Sequence, residues 1–132
     1  MGQESVKAVT EDPELDLVAE TDLGDNLSDT IKQVQAQVVV DFTTAAVVME
    51  NAKAIIESGA KPVIGTSGLL PEQVSKLQEL CEKNNNGGVI APNFAVGAVL
   101  MMKYAQDAAK YFPNAEVIEM HHDRKSDAPS GT

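Results

Sequence analysis

Short apolar runs recur at Val38-Val39-Val40, Pro62-Val63-Ile64 and Val89-Ile90-Ala91, each separated from the next by a longer stretch with helical spacing. This alternation constrains the fold more than any other feature. A chain that leaves a strand through a crossover helix re-enters the sheet in the same direction, so such strands run parallel. The punctuation between the runs agrees. Gly59 is placed to stop a helix whose apolar face is Val47, Val48, Ile55 and Ile56, and Thr43 or Thr44 to cap it. Pro71 opens a second helix carrying Val74, Leu77 and Leu80, which ends near Asn84-Asn85-Asn86-Gly87. With no polar interruption, Val38-Val39-Val40 predicts the most clearly buried strand.

The flanks read less sharply. Met1 to Val9 predicts part of a helix, Leu15 to Ala19 a strand ending in the polar Glu20-Thr21-Asp22, and 26–34 a weak helix or a loop. Past Pro92-Asn93-Phe94, the apolar stretch from Val96 to Met102 predicts a buried helix reaching about Tyr111. Glu116 to Met120 predicts a last strand. Neither an internal repeat nor a low-complexity linker is visible, and a subtle domain boundary is expected near Phe94, dividing 1–94 from 95–132.

Composition narrows the function classes. Hydrophobic residues make up 43% of the chain, enough for a core, but only 4% are aromatic, so aliphatic side chains must fill it. A formal charge of -10 argues against general affinity for nucleic acid or anionic membranes. Cys81 has no partner for an internal disulfide, and no apolar run approaches a membrane span; a cytoplasmic protein is expected.

In an open parallel sheet, ligands sit beyond the carboxyl ends of the strands. Four such ends carry small or polar residues: Asp22, Asp41-Phe42-Thr43, Gly65-Thr66-Ser67 and Pro92-Asn93-Phe94. An acidic side chain there suits the diol of an adenosine ribose, and glycines and hydroxyls let backbone approach a flat cofactor. Each alone is an ordinary turn residue; together, at successive strand ends, they point to a ligand.

The remaining chemistry is concentrated at one end. Both histidines and the sole arginine lie in Glu119-Met120-His121-His122-Asp123-Arg124-Lys125-Ser126-Asp127-Ala128-Pro129-Ser130-Gly131-Thr132. If the strand continues, His121 and His122 face opposite ways, so one can reach a cleft while the other packs or binds. Lys125 is placed to protonate or attract a substrate, whereas Arg124 reads as solvated. Pro129 to Thr132 looks like a helix start, whose free N–H groups would hold a carboxylate. A metal reading of His121-His122-Asp123 is weak, because adjacent histidines seldom converge on one ion.

This terminal stretch resembles the signature E-x-H-H-x-x-K-x-D-A-P-S-G-T of the dihydrodipicolinate reductases, also called 4-hydroxy-tetrahydrodipicolinate reductases. The segments V-V-V-D-F-T, P-V-I-G-T-S-G and I-A-P-N-F-A-V-G-A-V-L-M-M-K resemble that family as well, and the opening M-G-Q-E is similar to the end of its glycine-rich turn. The resemblance implies an α/β chain: a Rossmann-like, doubly wound parallel sheet with its first strand missing, followed by the beginning of an α+β substrate domain. It also implies an internal fragment of a longer reductase that forms a homotetramer.

By that resemblance His121 is the proton donor and Lys125 a second donor, while His122, Gly131 and Thr132 bind the carboxylates of a small dicarboxylate substrate. Gly65, Thr66 and Ser67, with Ala91, Pro92, Asn93 and Phe94, line the nicotinamide half of NADH or NADPH, and Asp22 accepts the adenosine ribose. Leu23 stands where some members have Arg, which favours NADH. The implied reaction is NAD(P)H-dependent reduction of 4-hydroxy-tetrahydrodipicolinate to tetrahydrodipicolinate, on the diaminopimelate route to lysine. Two other readings stay open: an inactive remnant that binds at most a nucleotide or an anion, and a member of another two-domain dehydrogenase family.

Overall fold

A computed structural model describes residues 1–91, 93–112, 114–116, 118 and 120. The chain divides into two compact units, residues 1–91 and 92–132. The first is an α/β unit with a three-stranded parallel sheet in the order β1 (Val38–Asp41), β2 (Lys61–Ile64), β3 (Val89–Ile90). Two helices precede the sheet, α1 (Gly2–Glu11) and α2 (Leu27–Val34); α3 (Val48–Glu57) joins β1 to β2, and α4 (Pro71–Lys83) joins β2 to β3. The expected parallel α/β architecture is therefore present.

Local chemistry explains where the helices begin and end. Asn26 caps α2 by accepting the backbone N–H of Asp29, which turns a segment ambiguous in sequence into a helix. Gly59 takes a positive φ of 86° just beyond α3, and its N–H donates to the Ile56 carbonyl, the expected stop. Pro71 occupies the first turn of α4. Thr43 and Thr44, in contrast, do not cap α3 with their side chains. The cap residue is Val47, and the Thr43 hydroxyl is held elsewhere, on the Asp41 carboxylate.

The core of this unit lies beneath α3. Val48, Ala52, Ile55 and Ile56 of that helix meet Ile31 of α2, Ala60, Ile64 of β2 and Leu77 of α4. Val47, expected on the same face, is 41% exposed because it precedes the first helical turn. Val74 likewise stays exposed, while Leu80 packs partly against the core.

β1 is a strand but not a buried one. Val39 and Asp41 face the core side, whereas Val38 and Val40 are 51% and 42% exposed. The side-chain period of two sends neighbouring residues to opposite faces, and an unbroken apolar run is buried only where both faces are covered. In β3 the neighbouring Val89 and Ile90 point to opposite faces and both are exposed, so neither face is covered there. Leu15 to Ala19 is solvent-facing and not in a strand. Its apolar pattern supplies one half of a ladder, and no described strand supplies the other half.

Pro62 explains the brevity of β3. The N–H groups of Lys61 and Gly65 donate to Gln37 and Asp41 on the β1 side, so the donor that proline lacks would have pointed toward β3. Pairing there starts one residue later, at Val63 with Val89, and the Ala91 N–H donates to Ile64. Gly88 packs on this proline. A Cβ added to Gly88 would lie 2.7 Å from the Pro62 carbonyl oxygen and 2.6 Å from its ring. Gly88→Ala is therefore expected to cost about 1–3 kcal/mol, the usual penalty of overpacking, measurable by urea denaturation.

The second unit contains α5 (Val96–Ala109). The helix forms as its pattern predicts, but none of its residues is buried, contrary to expectation. An apolar stretch specifies a helix locally; its burial depends on a packing partner that the stretch itself does not encode. Of the strand expected over 116–120, Glu116, Ile118 and Met120 are not in a strand, and Val117 and Glu119 lie outside the described residues. Among the described residues no helix is long and apolar enough to cross a membrane.

Candidate functional site

The carboxyl ends of the three strands bring several of the expected residues together. Asp41 ends β1, Gly65-Thr66-Ser67 follows β2, and Ala91 follows β3. Backbone hydrogen bonds tie these ends side by side: Gly65 N–H to the Asp41 carbonyl at 2.9 Å, and Ala91 N–H to the Ile64 carbonyl at 2.9 Å. The C-terminal edge of the sheet therefore presents a glycine and two hydroxyl residues beside a small alanine. That is a surface backbone groups can offer to a planar ligand.

The centre of this edge is a buried carboxylate. Asp41 is only 4% exposed, and four donors converge on it. Its Oδ1 accepts from the Thr43 N–H at 3.0 Å, from the Thr43 hydroxyl at 2.8 Å and from the Thr66 hydroxyl. Its Oδ2 accepts from Asn51 Nδ2 of α3 at 2.9 Å. Burial alone would push the Asp41 carboxyl up. The Thr66 hydroxyl, the Asn51 amide and the two Thr43 donors outweigh it and hold the group below its ordinary value of 3.8. The sequence pattern pointed to a ligand at this strand end; in the structure four donors from within the protein meet the Asp41 carboxylate. Asn51 escaped notice because a polar residue in mid-helix ordinarily faces solvent, and its link to Asp41 is visible only in three dimensions.

Gly65 is tied to the neighbouring strand end by a steric requirement. A Cβ there would fall 2.1 Å from Cε1 of Phe42, so the aromatic ring occupies the space a side chain would need. Gly68 completes the turn with φ of 102°, a conformation that favours glycine.

Asp22 sits in a separate turn. One of its carboxylate oxygens accepts the Leu23 N–H at 2.7 Å, its own N–H donates to Asp25 at 2.8 Å, and Leu23 is fully exposed. The stretch from Gly24 to Ser28 then lines an open hollow of about 510 Å³ with Glu50, Asn51 and Ala54 of α3. Asn93 and Phe94 belong to the second unit, where Asn93 Oδ1 accepts the Ala95 N–H at 2.9 Å. Pro92, His121, His122, Lys125, Gly131 and Thr132 lie outside the described residues.

A parallel sheet whose strand ends gather glycine, hydroxyl and small residues defines a nucleotide-binding type of α/β domain. Comparison with known proteins narrows this class. Residues 1–94 match the family model "Dihydrodipicolinate reductase, N-terminus" and residues 97–132 match "Dihydrodipicolinate reductase, C-terminus". The chain belongs to the dihydrodipicolinate reductase family.

Among its relatives, the 4-hydroxy-tetrahydrodipicolinate reductase of Coxiella burnetii (strain Dugway 5J108-111) is 53% identical over 132 residues, covering 100% of this chain and 55% of that protein. The enzyme of the same name from Listeria monocytogenes serotype 4b (strain CLIP80459) is 47% identical over 152 residues, covering 100% of this chain and 58% of its own length. A solved structure, dipicolinate-bound dihydrodipicolinate reductase from Paenisporosarcina sp. TG-14, is 41% identical with a TM-score of 0.79. The match covers 98% of this chain and 57% of that one. The chain thus spans about half the length of the curated relatives it matches.

Proposed function

We propose that this chain carries the cofactor edge and the substrate motif of a 4-hydroxy-tetrahydrodipicolinate reductase, a cytoplasmic enzyme of the diaminopimelate route to lysine. The carrying observation is the match of residues 1–94 and 97–132 to the two halves of that family, with the terminal histidine–lysine motif inside the second. The strand ends fit a nicotinamide nucleotide. Gly65, Thr66 and Ser67 form a turn of small and hydroxyl residues at the end of β2, and Ala91 is hydrogen-bonded beside it to the Ile64 carbonyl.

In this reading Gly65, Thr66 and Ser67, with Ala91, Pro92, Asn93 and Phe94, hold the nicotinamide half, and Asp22 holds the adenosine ribose. The cofactor, when bound, supplies the hydride, which no side chain can donate. His121 supplies a proton to the reduced ring, and Lys125, the second donor, helps bind the substrate and protonates the hydroxyl that leaves as water, a proton the ring gives back in the elimination. His122 with the N–H groups at Gly131 and Thr132 anchors the carboxylates. A dianionic substrate thereby meets local positive charge on a protein that is acidic overall. The dipicolinate seen in the Paenisporosarcina relative has the two carboxylates this arrangement requires. The exposed Leu23 beside Asp22 offers no charge to a 2′-phosphate, which favours NADH over NADPH.

Calorimetric titration with NADH, NADPH and dipicolinate tests the binding half of this reading. NADH is expected to bind more tightly than NADPH, and His122→Ala to weaken dipicolinate selectively. In an NADH-oxidation assay, His121→Ala and Lys125→Ala are each expected to lower kcat by roughly 10²-fold or more, as general acids do. Unchanged turnover in the double variant would exclude the assigned roles.

A further inference from the structure

The Asp41 cluster has the form of a brace whose far end is the proposed cofactor turn, and this inference rests on that cofactor reading. Hydrogen counting defines what the brace does. The Thr66 hydroxyl has one proton, committed to Asp41 Oδ1, and its oxygen shares the single Thr43 N–H proton with Oδ1, at 2.8 Å against 3.0 Å. The Thr43 hydroxyl proton is likewise committed to Oδ1, and its oxygen accepts Asn51 Nδ2 at 3.3 Å. Of the four donors that meet the carboxylate, three converge on Oδ1 and one on Oδ2. The result links the ends of β1 and β2 to the middle of α3 through one buried anion.

We propose that Asp41 and Asn51 are positioning residues: through Thr43 and Thr66 they fix the Gly65–Ser67 turn, so that it presents its backbone groups, and not the Thr66 hydroxyl proton, to the nicotinamide half of the cofactor. Neither side chain needs to touch the ligand. Asn51 sets the orientation of the carboxylate from α3, and the carboxylate sets the rotamer of Thr66. That rotamer fixes the peptide planes on either side of it. A turn held this way pays no ordering cost when a ligand arrives, which is how preorganisation raises affinity. Its cost is that Thr66 contributes no donor of its own to the bound molecule.

Near-isosteric substitution separates this role from simple packing. Thr66→Val keeps the shape and removes the hydroxyl; Thr66→Ser keeps the hydroxyl. NADH affinity of the 132-residue chain is measured by titration, alongside thermal melting and the amide resonances of Thr43, Gly65 and Ser67. Thr66→Val and Asn51→Leu are expected to weaken NADH roughly tenfold, the scale of one charged hydrogen bond, and to move the three amide signals. Thr66→Ser is expected to stay within about threefold with signals near the parent's, since the bond is retained.

Undiminished NADH affinity in Thr66→Val would overturn the proposal. Equal loss in Thr66→Ser would do so too, because the hydroxyl bond would then not be what matters. If the parent chain binds no NADH, it is the cofactor reading that fails. The amide signals then judge the brace alone: common shifts in Thr66→Val and Asn51→Leu support it, and their absence refutes it.

Discussion

Asp41→Ala is expected to destabilise the first unit by about 3 kcal/mol, because it strands several polar groups around a vacated buried position. Thr66, Thr43 and Asn51 all direct donors at the carboxylate, which is itself only 4% exposed. Chemical denaturation followed by circular dichroism would measure the loss. A value under about 1 kcal/mol would show that the cluster relaxes or hydrates, as ordinary surface hydrogen bonds do.

The same residue gives the fold an acid limit. Its folded-state pKa lies below the ordinary 3.8, so the unfolded chain binds the proton more readily. The stabilisation is therefore fully present above the unfolded value and declines as pH falls through the folded one. Below about pH 4, the parent chain should lose stability more steeply than Asp41→Ala, and the two denaturation curves should converge.

Ile55→Ala is expected to cost about 3–4 kcal/mol, whereas Val47→Ala should change stability by less than about 0.5 kcal/mol. Ile55 is wholly buried among residues of α2, α3, β2 and α4, so truncation leaves a cavity lined by elements that cannot all close in. Val47 precedes the helix and is 41% exposed. Thermal melts of the two variants decide whether α3 begins at Val48 with the face described above. Comparable losses at both positions would place Val47 in the core and refute that register.

What was legible in the sequence follows from how local each cause is. Gly59 and Pro71 marked helix boundaries correctly because each acts through its own backbone dihedral. The parallel α/β order followed from alternation, which only a few topologies accommodate. Burial was misjudged at Val38, Val40 and along α5 because a residue's cover lies on other elements. Leu15 to Ala19 has the composition of a strand, yet a strand is a property of two chain segments, and composition describes one. Gly65 to Ser67 follow an apolar run, which is what marks them in the sequence, whereas Ala91 reads as part of its own strand and enters the site only through the family resemblance; the structure places both at adjoining strand ends. The Asn51–Asp41 bond spans ten residues through a helix that had first to be folded, so no motif announced it.

Pro62 also acts as a key for alignment. Two parallel strands this short could slide by two residues and still present the same side chains to the same faces. Such a slip of β3 toward the start of β2 would set a carbonyl against the proline ring, where no donor exists to receive it. The opposite slip would withdraw Ala91 from Ile64 and detach the small residue that flanks the Gly65 turn. A residue that offers the ladder no donor thus leaves one setting of the two strands clearly better than its neighbours.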